Sequence, residues 1–154
     1  MSTYREQLER LHRSYKRLKD INDGRTHSEA SDHYTDDMYV FFMNCHHMKD
    51  WLINDADFPA SEREVEDYIN KNRALRLAAD ICNAHKHLGL NHGPRSHENP
   101  TLGSRINQLW IGAGGHKIVV KFTIETENGP LDAFDLAAEC LSLWDTFITD
   151  RQGL

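Results

Sequence analysis

No stretch of this chain stays apolar for anything near the roughly 20 residues a bilayer-spanning helix requires. The opening residues Met1-Ser2-Thr3-Tyr4-Arg5-Glu6 form no apolar secretory segment either. Both absences set the expectation of a cytoplasmic protein with no membrane partner. Cysteine is scarce: Cys45, Cys82 and Cys140 are odd in number, far apart and embedded in apolar helical patterns. A free buried thiol is the ordinary state there, so no disulfide framework is expected. Positive charge is also short. The 18 Lys and Arg against 24 Asp and Glu leave a net charge of -6, which argues against tight nonspecific binding to nucleic acid and leaves room only for a local basic patch. Repeats and low-complexity tracts are absent. What is present is the composition of a folded domain. The 154 residues are 39% hydrophobic and 27% charged, which suits one domain with a real core and excludes disorder over most of the length.

Periodicity sets the expected elements. Tyr4, Leu8, Leu11, Tyr15, Leu18 and Ile21 recur at steps of three and four, giving a one-sided helix over about 3–22. The polar run 23–33 reads as a loop. From 34 to 56 the apolar residues surround nearly the whole helical circumference, so this helix is expected to be the most buried. Ser61 followed by Glu64 has the pattern of a capping box and starts a helix over 61–70. The apolar pattern lapses at Asn70-Lys71-Asn72, and a separate helix follows over 73–88. Residues 89–103, with three glycines and two prolines, read as an irregular loop. The rhythm then changes to alternation, with strands expected over 105–111 and 117–126 around Gly112-Ala113-Gly114-Gly115. Asn128-Gly129 marks a second turn before a short strand near Leu131, and a terminal helix runs over 134–149. The expected fold is mainly α (α+β), an antiparallel helical bundle with a small antiparallel meander inserted before the last helix.

One arc of the 73–88 helix is polar. Arg73, Arg76, Asp80, Asn83 and His87 fall within roughly 80° of one another, between two apolar stripes. On the helix before, His46, Asp50 and Asn54 share a face at steps of four. An antiparallel return between the helices brings His46 and Asp50 level with Ala78 to Cys82, within reach of Asp80 or Arg76. Unpaired buried carboxylates and imidazoles cost several kcal/mol, so these groups are expected to meet one another or a ligand. Three readings follow. In the first, the arc is a structural network in a noncatalytic interaction module, with Arg76 on Asp80 or Asp50. In the second, the partner is RNA or a nucleotide: His87 is the general acid or base, Arg76 or Lys86 neutralises a phosphate and Asn83 orients the attacking hydroxyl. In the third, His46, Asp50, Asp80 and His87 hold zinc or iron, although the Glu-x-x-His signature of di-iron bundles is missing.

The run His47-Met48-Lys49-Asp50-Trp51, followed by Leu75-Arg76-Leu77 and Asp80-x-x-Asn83-x-x-Lys86-His87, resembles small bacterial and phage proteins of the HEPN-like helical bundles over about a third of the chain. The resemblance implies a homodimeric bundle in a phage-conflict or toxin-antitoxin setting. Its catalytic members cleave RNA without metal or cofactor, through an Arg and a His on one helix in Arg-x(4–6)-His spacing. Here Arg76 precedes His85 by nine positions and His87 by eleven. Only His87, with Asn83 before it, carries over as a counterpart of the family's histidine. The RNA- or nucleotide-directed reading puts His87, Asn83, Arg76 and Asp80 in catalytic roles and Asp50, His46 and Lys86 in binding roles, with no metal ligand and no cofactor.

Other features read as ordinary surface. Adjacent histidines such as His46 and His47 point about 100° apart on a helix and do not share an ion. Gly112-Ala113-Gly114-Gly115 lacks the Lys-Ser/Thr of a phosphate loop. The cations Arg5, Arg10, Arg13, Lys16, Arg17 and Lys19 alternate with Glu6, Glu9 and Asp20 on a solvated helix face.

Overall fold

The computed structural model describes residues 2–26, 32–87 and 93–153, with the backbone alone of Asp32, Lys86 and His87. Five helices and a three-stranded antiparallel sheet follow in the order expected: α1 (Tyr4–Asp23), α2 (Asp32–Asn54), α3 (Glu62–Lys71), α4 (Arg73–His87), β1 (Thr101–Gly112), β2 (Gly115–Thr126), β3 (Gly129–Asp132) and α5 (Ala133–Gln152). No helix among the described residues is long and apolar enough to cross a membrane.

Local chemistry accounts for the boundaries. Ser61 and Glu64 form the capping box: the Glu64 N–H donates to Ser61 Oγ at 3.3 Å, and the Ser61 N–H donates to Glu64 Oε2 at 2.8 Å. Asn72 divides α3 from α4. Its backbone is extended, its side-chain amide donates to the Tyr68 carbonyl at 2.7 Å, and its own carbonyl accepts from the Arg76 N–H at 3.2 Å. One residue thus closes the first helix and opens the second. Asp132 caps α5 by accepting from the Asp135 N–H at 2.9 Å.

The core lies where α1, α2, α4 and α5 converge with one face of β2. It contains Leu11, Leu18, Phe41, Phe42, Met48, Leu52, Leu77 and Trp144, joined by Val120, Phe122 and Ile124 from alternate positions of β2. Two details depart from the apolar pattern. The buried seam of α1 takes Gln7 and Ser14, and leaves Leu8 and Tyr15 partly buried. Each polar group is satisfied: the Gln7 amide donates to the Asn44 carbonyl at 3.0 Å, and the Ser14 hydroxyl to the Leu11 carbonyl at 2.8 Å. Nor is α2 buried all round. Met43, His47 and Asp50 face solvent, so α2 keeps one open side although α1, α3, α4 and α5 all pack against it. The three cysteines are buried and none is in a disulfide.

In the sheet, β1 pairs with β2 from Thr101↔Glu125 to Gly112↔Gly115, with a shift between Leu102 and Arg105, and Ala113-Gly114 makes the turn. The strands begin earlier than the alternation indicates, so 101–103 belong to β1 and not to the preceding loop. Gly24, at φ +96°, lets the end of α1 reach β2: a Cβ there would lie 2.9 Å from Val119 Cγ2. Arg25 then exchanges two backbone hydrogen bonds with Ile118, at 3.1 and 2.9 Å. Beyond this anchor the ribbon leaves the body, and every residue from 104 to 117 is exposed.

Trp144 and Trp110 calibrate this division. Trp144 is fully buried, and its indole N–H donates to the Cys45 carbonyl at 3.0 Å. Trp144→Phe is expected to lower the unfolding free energy by about 1–3 kcal/mol through the lost bond and the void. The same change at exposed Trp110 is expected to stay within about 0.5 kcal/mol. Urea titration of the two variants checks this, and equal losses would contradict the assignment of the core.

Candidate functional site

Asp80 sits in the middle of α4, 2% exposed. Its Oδ1 accepts the Arg95 N–H at 2.7 Å, and its Oδ2 accepts both the Ser96 N–H at 2.7 Å and the Ser96 hydroxyl at 2.5 Å. A buried carboxylate without partners costs several kcal/mol, and three donors, two of them backbone, offset that cost. The segment they belong to is held in a turn by the His97 N–H on the Pro94 carbonyl, at 3.1 Å. Two residues later Glu98, 4% exposed, receives the Arg73 guanidinium in a two-point pair, Nε to Oε2 at 2.7 Å and an Nη to Oε1 at 2.6 Å. The Arg73 bond, helped by the side chains of Asn128 and Thr126, holds the Glu98 carboxyl down at about 2 against the opposing effect of burial. The Glu98 carbonyl also accepts the Glu127 N–H at 3.0 Å. Residues 94–98 are therefore fastened to α4 at Asp80 and Arg73, and to the β2–β3 turn at Glu127.

Fastening the backbone aims Arg95 outward. Its guanidinium donates to Glu66 Oε2 at 2.5 Å and to the Asn70 side-chain oxygen at 2.9 and 3.1 Å. Glu66 in turn lies 3.4 Å from Lys49 Nζ, and Lys49 lies 3.0 Å from Asp50. A row of alternating charge, Arg95, Glu66, Lys49, Asp50, thus crosses from the loop over α3 to α2. Arg76 donates to the Asn70 carbonyl, and its Nε is buried without a hydrogen-bond partner among the described residues. Burial pushes the His46 imidazole down to about 4, with Lys49, His47 and Arg95 adding to the effect and Asp50 opposing it. The ring is neutral at pH 7.

The residues singled out from sequence divide accordingly. Asp80 is buried under the 95–96 segment, Arg76 reaches the Asn70 carbonyl, His46 lies within the charges of Lys49, Asp50 and Arg95, and Asp50 pairs with Lys49 instead of reaching Asp80 or Arg76. Asn83 is half-buried one turn beyond Asp80. Lys86 and His87 lie in the last turn of α4, and their side chains fall outside the described residues, as does His92. Among the described residues no three His, Cys, Asp or Glu side chains are grouped to hold a metal ion. His85 is stacked on Tyr39, with ring centroids 4.0 Å apart and planes at 15°. Sequence reasoning missed the partners that matter most. Ser96 and Glu98 carry no signal of their own, and Arg95 lies with His92 and His97 in a loop that reads as ordinary polar surface, with closing over a site or touching phosphate as the alternative. The available signal was Arg73, a cation opening a helix whose neighbours include no acid to pair it.

No family model matches the chain, and the comparisons with curated proteins and with solved structures found no match. The class rests on the coordinates alone: a mainly helical α+β protein with a three-stranded antiparallel sheet before its last helix.

Because Glu98 titrates lower in the fold than its ordinary 4.5, its pair with Arg73 contributes stability that is complete above pH 4.5 and is lost as pH falls toward about 2. The melting temperature of the wild type is expected to fall more steeply than that of Glu98→Gln across this window, the two curves converging at its acid end. Parallel curves would contradict the pairing.

Proposed function

We propose that the protein is a noncatalytic interaction module, and that its polar cluster is a fastening network. The observation that carries this reading is Asp80: both carboxylate oxygens of the most buried ionisable group in the cluster are engaged by the 95–96 segment of its own chain. A general acid or base needs a lone pair or proton directed at substrate. Asp80 has its lone pairs directed at backbone. Arg95 and Arg73 are likewise engaged by Glu66 and Glu98. The element left over for contact is the β1–β2 ribbon, with its exposed apolar side chains. A cytoplasmic setting belongs to the same proposal.

A second reading, of metal-independent acid/base chemistry on RNA or a nucleotide, is favoured by one observation. His46 is held neutral at pH 7 beside Lys49 and Arg95, so it has the protonation state of a base next to groups that attract phosphate. The HEPN-like resemblance, the phage-conflict or toxin-antitoxin setting and a role for His87, Asn83 and Lys86 belong with this second reading.

Incubation of the purified protein with end-labelled single-stranded RNA in EDTA separates the two. The interaction module is expected to leave the RNA intact, with His46→Ala and His87→Ala indistinguishable from wild type. Cleavage that either variant abolishes at an unchanged melting temperature would transfer the function to the second reading.

A further inference from the structure

The β1–β2 ribbon carries two kinds of unmet demand. No described residue pairs with the outer edge of β1 over its 12 residues. Edge strands in proteins that stay monomeric are commonly shortened, bulged, or blocked by lysine or proline. From Arg105 to Ile111 this strand has no bulge, lysine or proline, and its single charge stands at one end. It also presents Ile106, Leu109, Trp110 and Ile111 at 51, 60, 62 and 81% exposure. Register with β2 sorts them by face: Leu109 and Ile111 lie opposite Ile118 and His116, on the side that continues into the buried Val120 and Phe122, and Ile106 and Trp110 lie on the other.

We infer that the occupant of this edge is a second copy of the chain, its β1 running antiparallel to the first about a two-fold axis at Gln108. This rests on the interaction-module reading only in taking the ribbon as the contact element. The strand is complementary to itself in that register. Gln108 faces the partner's Gln108, Ile106 faces the partner's Trp110, and Arg105 faces the partner's Ile111. The outcome is an aromatic to β-branched pair on either side of the axis, with no like charges opposed. A two-fold contact of this kind closes on itself and does not propagate.

The groove at the base of β1 fits the same arrangement. It has a volume of about 300 Å³ and is lined by Tyr39, Ile81, Ala84, His85, Leu102 and Ile124. Antiparallel pairing carries the partner's turn toward that base, with the partner's Leu109 and Ile111 on the groove's side of the sheet. Edge-to-edge pairing buries the strand edge and the facing flanks of the four exposed side chains, and the groove adds to an interface at the low end of the size range, where a stable contact takes roughly 800 Å² per partner.

Charge favours a second copy over nucleic acid. Residues 101–121 carry three cations and no carboxylate, yet Arg105 donates to Thr35 at 3.3 Å and Lys121 to Asn22 at 2.5 Å. Two of the three cations are turned to their own body.

Sedimentation at tens of micromolar tests the inference. The wild type is expected at about twice 17.8 kDa. Ile106→Lys with Trp110→Lys, both on exposed sites, is expected at half that mass with an unchanged melting temperature. Gln108→Cys is expected to cross-link chain to chain under mild oxidation, and Lys117→Cys on the neighbouring strand is not; the native thiols are buried and silent. A monomeric wild type would overturn the inference, as would a dimer that survives the double variant, a dimer in which Gln108→Cys does not cross-link, or a monomer that retains single-stranded RNA through the ribbon. The RNA incubation judges the noncatalytic reading separately, so a monomer that leaves RNA intact removes the second copy and keeps that reading.

Discussion

A carboxylate placed inside an apolar helix pair must be solvated by the protein itself, and Asp80 is solvated by the 95–96 segment. Three donors converge on its two oxygens. The requirement runs both ways. Asp80 needs those donors to be tolerated at 2% exposure, and the segment, which has no regular structure of its own, needs Asp80 to hold its backbone N–H groups. From that contact the rest is positioned. Glu98 is brought to Arg73, Arg95 is aimed at Glu66, and the chain is delivered to the start of β1. The helical part and the sheet are joined here by hydrogen bonds to a buried charge, in addition to the apolar contacts of β2.

The ion pairs built outward from this point are unequal. Pairs along α1, such as Arg10 with Glu6 at 3.6 Å and Arg13 with Glu9 at 3.5 Å, are solvent-exposed on both sides and contribute little beyond solubility. The Arg73–Glu98 pair has one buried partner and two-point geometry, so breaking it leaves a buried carboxylate exposed to the cost of desolvation. The Arg95–Glu66–Lys49–Asp50 row lies between these extremes and fixes side-chain orientation more than stability. Burial first, and then the Lys49 and Arg95 charges of this row against the opposing Asp50, keep His46 neutral where an exposed histidine would begin to charge.

The helices were legible because each has one apolar face with the period of a helix. The break at Asn72 was legible because the apolar pattern lapses beside a residue suited to capping. The two hairpin turns were marked by glycine. The polar arc of α4 was visible too, but its partners were not: Asp80 is satisfied from 15 and 16 positions away, and nothing local distinguishes Arg95-Ser96 from any polar loop. Periodicity placed Tyr4, Leu11, Leu18 and Ile21 on the buried seam of α1 but missed Gln7 and Ser14, which are buried with the Asn44 and Leu11 carbonyls accepting from them. It overstated the burial of α2, since composition around a helix says nothing of how many neighbours it has. The length and exposure of the β1–β2 ribbon were invisible for a related reason. Alternation marks a strand, and only the fold shows where the strand runs past the body.

The most direct test of the central claim is amide hydrogen exchange at Arg95 and Ser96 in the wild type and in Asp80→Asn. Both N–H groups are expected to exchange slowly in the wild type, and Asp80→Asn is expected to bring them to the rates of exposed loop amides while the α2 core amides stay protected. Fast exchange of these two amides in the wild type, or slow exchange untouched by the substitution, would contradict the claim that a single buried carboxylate holds this segment in place.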